Sequence, residues 1–447
     1  MKLNKTFGLF ENFLNKNFFI DSRDVREDSV FICIKGLNDD GHKYIKPVLN
    51  NYKKTIIICE KKSKYSYLYK KNRRVLICQS TKYFMKDLAL IKRYLFNENF
   101  FIGITGSSGK TTLKEMLYKV LSKFDSSYRS QKSFNNDIGL PISLINQKEK
   151  SKYNVYELGM NKLGEIDYLS KILKPNLGII TNIGDAHLGK LGSIANIAKA
   201  KSEIIKNITK NGTIILNREC KFFNKFENLA RKKKLKILTF GSDKKSTINY
   251  KIINFNKMQI KIRNKKFNFK LQNNNINNIN NLLVCFLVLD FLNLKTHSAK
   301  KILEKIKNVN GRGNIIKFKN KVEVIDDSYN SNPSSLKRSI SDFYNTRSKK
   351  KKILVIGDML ELGRHSKKEH IDIGKYLLKY NFFRVYLIGK QSKNIFEQIN
   401  TTFWCKYYSN IDKFSKDFED VLLENCMIMF KASNGTGLNK LLSKKLY

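Results

Sequence analysis

The chain has 447 residues, 41% hydrophobic and 12% aromatic, enough to core two or three domains and too apolar for a disordered protein. Only 23 Gly and 4 Pro exclude collagen-like and low-complexity architectures. Lys plus Arg number 86 against 38 Asp plus Glu, a net charge of +48. Lysine and asparagine crowd every region and Lys outnumbers Arg, so compositional drift explains the charge better than one nucleic-acid face. A nucleic-acid-stimulated ATPase is kept as the competing reading.

The apolar run Leu282 to Leu294 is too short to span a bilayer, which needs about 20 residues. Phe7 to Ile20 is broken by Glu11, Asn12, Asn15, Lys16 and Asn17, unlike a signal peptide. Seven scattered cysteines without paired spacing fit neither a disulfide framework nor a zinc site. These features predict a cytoplasmic protein with reduced thiols and no membrane insertion.

Short β-rich runs alternate with helical patterns along the chain, which predicts parallel α/β structure. A first block, 1–98, holds Val30 to Ile34, Thr55 to Cys59 and Arg74 to Cys78. A second, 99–312, opens at Phe100 to Thr105 and continues through Tyr153 to Leu158, Leu177 to Asn182 and Thr213 to Leu216. Its later part reads as short strands over 236–271 and helices over 276–308. The third, 313–447, holds Val322 to Ile325, Ile353 to Ile356, Val385 to Ile388 and Met427 to Phe430.

Phosphate chemistry is written most plainly at Gly106-Ser107-Ser108-Gly109-Lys110-Thr111-Thr112. An apolar strand precedes it. Leu113, Met116, Leu117, Val120, Leu121 and Phe124 follow at helical spacing. Gly106 and Gly109 let backbone N–H groups close on phosphate oxygens at a helix N-terminus. Lys110 would hold the β/γ-phosphates and the Thr111 hydroxyl would ligate Mg²⁺, so the cofactors are read as ATP and Mg²⁺. Ile104 stands where G-x-x-x-x-G-K-[ST] has its first glycine. Glu157 and Asp185-Ala-His187 fall at successive strand ends, where α/β sheets place ligands, and supply oxygen and imidazole donors for the metal. Lys199 and Lys201, on a helical stretch, are on composition two more of many lysines.

Several segments resemble the Mur ligases: Gly103 to Thr112, Phe134-Asn135-Asn136-Asp137-Ile138-Gly139, Glu157-Leu158-Gly159, Ala198 to Glu203, Asp326 to Pro333, and Gly357-Asp-Met-Leu-Glu-Leu-Gly363. The order is consistent from about residue 21 onward. The resemblance implies an α/β protein of three domains: a UDP-sugar-binding domain, a central P-loop ATPase domain and a Rossmann-like C-terminal domain. The asparagine-rich and Gly357 to Gly363 segments look like the branch that adds D-alanyl-D-alanine to a UDP-muramoyl tripeptide. The implied reaction runs through an acyl phosphate.

By the same resemblance Glu157, His187 and a carbamylated Lys201 join Thr111 around Mg²⁺, and Lys110 with these three forms the catalytic group. Arg312 and Asp327 contact ATP, and domain closure would complete that site. Asp21, Ser22 and Arg23, near Lys35-Gly36 and Asp40-Gly-His42, face the UDP moiety, and Asn135 and Asn136 face substrate. The family's adenine asparagines fall within Asn273 to Asn281, where several registers are open; Asn278 and Asn281 are the alignment taken. Where the family reads Lys-Gly-Ser-Arg, this chain has Lys431-Ala-Ser-Asn434, which removes a guanidinium from near the dipeptide. Expected partners are the two small-molecule substrates alone, with no nucleic acid, and the protein is expected to be a monomer. A sister ligase adding one amino acid, and a decayed homologue with a binding role, are the alternatives.

Overall fold

The computed structural model describes residues 13–446 apart from 14, 37–38, 132, 149–150, 255–256, 264, 272–275, 306–310, 319–320, 347 and 403. The stretch read against a signal peptide and the asparagine run therefore lie partly outside the described residues, as does the end of the 276–308 helical segment.

Three sheets follow one another along the chain. The first is all parallel, in the order β1 (Phe18–Phe19), β2 (Val30–Ile32), β3 (Ile56–Glu60), β4 (Val75–Cys78). The second contains β5 (Phe100–Thr105), β6 (Ser127–Arg129), β7 (Tyr153–Glu157), β8 (Leu177–Ile180), β9 (Thr213–Asn217), β10 (Lys236–Gly241), β11 (Ile248–Asn254), β12 (Lys257–Ile262) and β13 (Lys265–Lys270). Its order is 13-12-11-10-9-8-5-7-6, parallel except at the β11–β12–β13 end. The third runs 14-15-19-16-17-18 and contains β14 (Asn314–Lys317), β15 (Glu323–Asp327), β16 (Lys351–Gly357), β17 (Arg384–Ile388), β18 (Cys405–Tyr408) and β19 (Cys426–Lys431). Only the β14–β15 pair in it is antiparallel.

The strands follow the apolar runs because a parallel strand buried on both faces reads as a nearly continuous apolar stretch. β5 is buried from Phe101 to Thr105 and β7 throughout. Glu157 is the last residue of β7, at the strand end where it was expected. The helix Lys110–Leu121 buries Leu113, Met116, Leu117, Val120 and Leu121, the apolar face read from its spacing. Helices occupy Ile276–Phe291 and Thr296–Lys305.

One face of the first sheet packs Phe31 and Ile57 on Ile45, Val48 and Leu49 of the helix Ile45–Asn51. Its other face is not separate from the second unit. Phe18, Val30, Ile32 and Ile58 share one core with Met85 and Leu88 of the helix Thr81–Leu95, and with Leu140, Ile142, Ile166 and Leu169 beyond it. Polar bonds fasten this junction. The Asn146 side chain accepts from the Phe18 N–H and donates to the Phe18 carbonyl, both at 2.8 Å. The Arg93 guanidinium donates to the carbonyls of Leu173 (2.7 Å) and Lys174 (2.8 Å) and lies over the Phe101 ring. Among the described residues no helix is long and apolar enough to cross a membrane, and all seven cysteines are free.

Candidate active site

β5 lies between β8 and β7, so the chain departs to opposite sides of it and opens a crevice at the strands' C-terminal ends. The glycine loop turns there. Gly106 has φ +150°, and a Cβ on it would stand 1.9 Å from Thr181 Oγ1; Gly109 has φ +82° and begins the helix Lys110–Leu121. A segment just after β8 holds the loop's shape. Asn182 accepts from the Ser107 N–H through its carbonyl (3.0 Å) and from the Ser108 N–H through Oδ1 (2.9 Å). Thr181 Oγ1 donates to the Ser108 carbonyl, and the Ser107 hydroxyl donates to Gly184 O while accepting from Gly184 N. Leu113 N–H makes the first intrahelical bond, to Gly109 O, so the N–H groups of Lys110, Thr111 and Thr112 precede it and face outward from the helix start.

Charge converges on one buried carboxylate. Glu157 is 2% exposed; its Oε2 accepts from Thr111 Oγ1 and its Oε1 from Asn135 Nδ2, both at 2.8 Å. Burial works to raise this carboxyl, but Lys110, the Asn135 and Thr111 bonds and Arg312 outweigh it and hold it below the usual carboxylate range. Lys110 Nζ donates to Gly106 O at 2.8 Å, and burial lowers its pKa against the pull of Glu157. Lys201 Nζ donates to the same carbonyl at 3.0 Å. That side chain is 1% exposed, and burial, then the Lys110 charge, push its pKa far below that of an ordinary lysine.

The hinge at Arg312 and the third sheet's unit complete the site from the opposite side. Arg312 Nη2 donates to Thr111 Oγ1 at 3.2 Å, the guanidinium lies 4.4 Å from the Tyr329 ring centre, and Tyr329 OH bonds Ser133 Oγ at 2.7 Å. Arg312 Nε is buried without a hydrogen-bond partner among the described residues. Asp327, ending β15, accepts from Lys431 Nζ (2.6 Å) and Ser339 Oγ (3.1 Å). Between the two units lies a cavity of about 720 Å³ whose wall includes Lys110, Thr111, Glu157, Asn278, Arg312 and Asp327. Asn281 also lines it, and its Nδ2 donates to Gly109 O at 3.3 Å.

His187 sits at the start of the short helix Leu188–Leu191 with φ +69°, its Nδ1 2.9 Å from Glu361 Oε2. Burial lowers the imidazole pKa against the Glu361 charge, and the His187 contact in turn brings the Glu361 carboxyl down to about 2. Asp185 Oδ2 accepts from the Ser334 N–H at 2.9 Å, at the start of the helix Pro333–Tyr344.

The structure thus gathers residues 106–112, Glu157, Lys201, Asn278, Asn281, Arg312 and Asp327 around one crevice. Other expected residues sit differently. Asn135 touches Glu157, and Asn136 Oδ1 accepts from Gly139 N–H at 2.8 Å in a local turn. Arg23 pairs with Asp21 through two side-chain bonds on an exposed turn beside Ser22. Asn434 lies in an exposed 3₁₀ turn, bonded by Asn439. Asn182, Tyr329, Ser133 and Glu361 carry contacts that the sequence reading did not assign, although Tyr329 and Glu361 lie in segments it singled out. Asn182 stood at the end of the β8 run, and its position beside the glycine loop was the available signal.

The residues fit a nucleotide and its cation. Lys110 and Arg312 exceed the single Glu157 charge, so an anion is wanted, and Arg312 Nε has a buried donor to offer. Thr111 hydroxyl and Glu157 carboxylate are the hard oxygen donors that suit Mg²⁺, which needs few protein ligands when phosphates supply the rest. Among the described residues no group of three His, Cys, Asp or Glu side chains forms a preformed metal cage.

The Mur ligase middle domain matches residues 104–289, and the Mur ligase glutamate ligase domain matches 311–434. The chain is 33% identical over 426 residues to the UDP-N-acetylmuramoyl-tripeptide–D-alanyl-D-alanine ligase of Rickettsia prowazekii (strain Madrid E), covering 94% of this chain and 93% of that protein. A crystal structure of MurF from Acinetobacter baumannii superposes with a TM-score of 0.84 at 26% identity, over 96% of this chain and 93% of that one. MurF from Thermotoga maritima in complex with ADP gives 0.80 at 27% identity, over 97% and 99%.

Proposed function

The chain belongs to the Mur ligase family, and from that premise we propose how it works. It is an ATP-dependent amide ligase that joins D-alanyl-D-alanine to UDP-N-acetylmuramoyl-tripeptide, a step of peptidoglycan precursor synthesis and so of cell-wall growth, cell shape and division. The observation that carries the mechanism is the meeting of Thr111, Glu157, Lys110 and Arg312 across the cavity.

The tripeptide's terminal carboxylate attacks the γ-phosphorus of ATP, and ADP leaves. The amine of D-alanyl-D-alanine then adds to the acyl carbon, loses a proton, and the tetrahedral intermediate expels phosphate as the amide forms. Residues 106–109 and the N–H groups at the helix start cradle the phosphates, and Lys110 and Arg312 hold charge on the transferring group. Thr111 and Glu157 would hold one Mg²⁺, and His187 with a carbamylated Lys201 a second. The cation, when bound, neutralises phosphate oxygens so that an anionic carboxylate can approach. A carbamate requires a neutral amine to attack CO₂, and the buried Lys201 beside Lys110 favours that form. Asn278 and Asn281 take the adenine side and Asp327 the ribose hydroxyls. Asp21, Ser22 and Arg23 bind the UDP moiety, the Asp21–Arg23 pair opening to do so, and Asn135 and Asn136 lie toward the tripeptide.

The domains run 1–98, 99–312 and 313–447, the protein acts as a monomer, and it works in the cytoplasm, where its substrates are made. Phosphate release is the test, with ATP, Mg²⁺, UDP-muramoyl tripeptide and D-alanyl-D-alanine omitted one at a time. Release that requires all four, with a product heavier by the dipeptide less water, is the expected result. Release that persists without the dipeptide, or is driven by a single amino acid instead, overturns the assignment.

A further inference from the structure

His187 and Glu361 come from different units of the protein and meet face to face. His187 follows β8 of the second sheet, whereas Glu361 follows β16 of the third. Both have left-handed φ, +69° and +65°, which side-chain-bearing residues adopt where their surroundings enforce it. The contact reaches the backbone. Gly189 N–H donates to Glu361 O at 3.1 Å, and a Cβ on Gly189 would come within 2.5 Å of Leu362 C and Gly363 N. Lys190 Nζ adds a second ion pair to Glu361 at 3.4 Å and holds Asn161 Oδ1 at 2.9 Å.

We propose that Glu361 is a positioning residue and the tongue of an interdomain latch: closure of the C-terminal unit delivers its carboxylate to His187 Nδ1 and orients the imidazole for the reaction centre. Glu361 Oε2 lies 2.9 Å from Nδ1 without the alignment of a hydrogen bond, so the carboxylate holds the ring by its charge and by occupying the space beside it. One contact therefore reports closure and completes the site. Glycine at 189 is what allows so close an approach. The kinetic side of this inference rests on the ligase reading above; the closure side does not.

The full-length protein and its Glu361→Ala, Glu361→Gln and Gly189→Ala variants test it in two ways. Gly189 lies in a helix, so alanine there suits the local fold and blocks only the docking. Small-angle X-ray scattering with Mg²⁺ and a non-hydrolysable ATP analogue reads closure: the wild type contracts, whereas Glu361→Ala and Gly189→Ala keep the radius of the nucleotide-free protein. In turnover both lose about 10- to 100-fold in kcat with KM for the tripeptide unchanged, the size expected when a histidine loses its orienting partner. Glu361→Gln, which keeps the side chain's size and its place beside the ring but not its charge, recovers part of that loss. Contraction of Glu361→Ala like the wild type, or turnover of either alanine variant within about twofold of it, overturns the latch. Wild-type protein that contracts but turns over no substrate overturns the ligase reading instead and leaves the closure comparison standing.

Discussion

Lys201→Met separates what the fold wants from what the reaction wants. The ammonium nitrogens of Lys201 and Lys110 lie 3.0 and 2.8 Å from one carbonyl oxygen, so they are no more than 5.8 Å apart. At an effective dielectric constant of about 20, two charges at that distance repel by at least about 3 kcal/mol. Shedding the Lys201 proton near neutral pH instead costs a comparable amount, about 4 kcal/mol from an ordinary value near 10.4. Methionine fills much the same volume without charge and gives up one hydrogen bond, about 1 kcal/mol. The net gain is about 2–3 kcal/mol, or roughly 4–12 °C in the melting temperature of a unit of about 200 residues. Calorimetry in CO₂-free buffer is the assay, paired with turnover: the variant should melt higher and be inactive. Bicarbonate should then raise the melting temperature and activity of the wild type and leave Lys201→Met unmoved. A lower melting temperature for the variant, retained turnover, or an equal response to bicarbonate would refute this account of a buried lysine awaiting conversion to an anion.

Gly106→Ala drives a methyl to within 1.9 Å of Thr181 Oγ1 at a φ that alanine disfavours, so the loop must rebuild and titration with ATP should show affinity reduced at least about a hundredfold, an expected loss near 3 kcal/mol. Arg312→Lys loses both the guanidinium donor to Thr111 and the cation–π contact with Tyr329, and steady-state kinetics should show KM for ATP rising about tenfold. Asn146→Ala strips two bonds from the Phe18 backbone at the junction of the first two units; thermal unfolding should show about 1–3 kcal/mol of destabilisation, with turnover at saturating substrate little changed. Burial pushes the Cys78 thiol up to about 11, so only about one part in a thousand is thiolate at pH 8; alkylation of that residue, read by peptide mass, should accelerate about tenfold per pH unit up to that value.

The legible part of the fold was its interior. β5, β7, β8, β9, β15, β16, β17 and β19 have strand neighbours on both sides, and each announces itself as an apolar run. The strands that escaped notice, β1, β6, β14 and β18, are all at sheet edges, where two to four residues with one neighbour and solvent beside them need no such run. The phosphate loop was readable because glycine, lysine and threonine perform distinct tasks there. Lys201 was not: in a chain so rich in lysine its 1% exposure has no sequence signature, and family resemblance alone drew attention to it. Asn182 and Glu361 act across long sequence separations, through folds of the chain that spacing does not encode.

The two faces of the first sheet are completed at different times during synthesis. Ile45–Asn51, which covers one face, leaves the ribosome before β3 and β4 do. The opposite face meets Met85 and Leu88 of the helix Thr81–Leu95 first, and its core closes only with Leu140, Ile142, Ile166 and Leu169, the helix that carries the last two ending at Leu173. At about 5–20 residues per second, that core stays incomplete for roughly 5–20 s after Cys78 has been added. Until then Phe18, Val30 and Ile32 have the helix Thr81–Leu95 alone as their cover on that side. The first unit is accordingly a late-maturing one: its core closes only when the unit behind it has folded, so a chain interrupted midway leaves this sheet without its full packing partner.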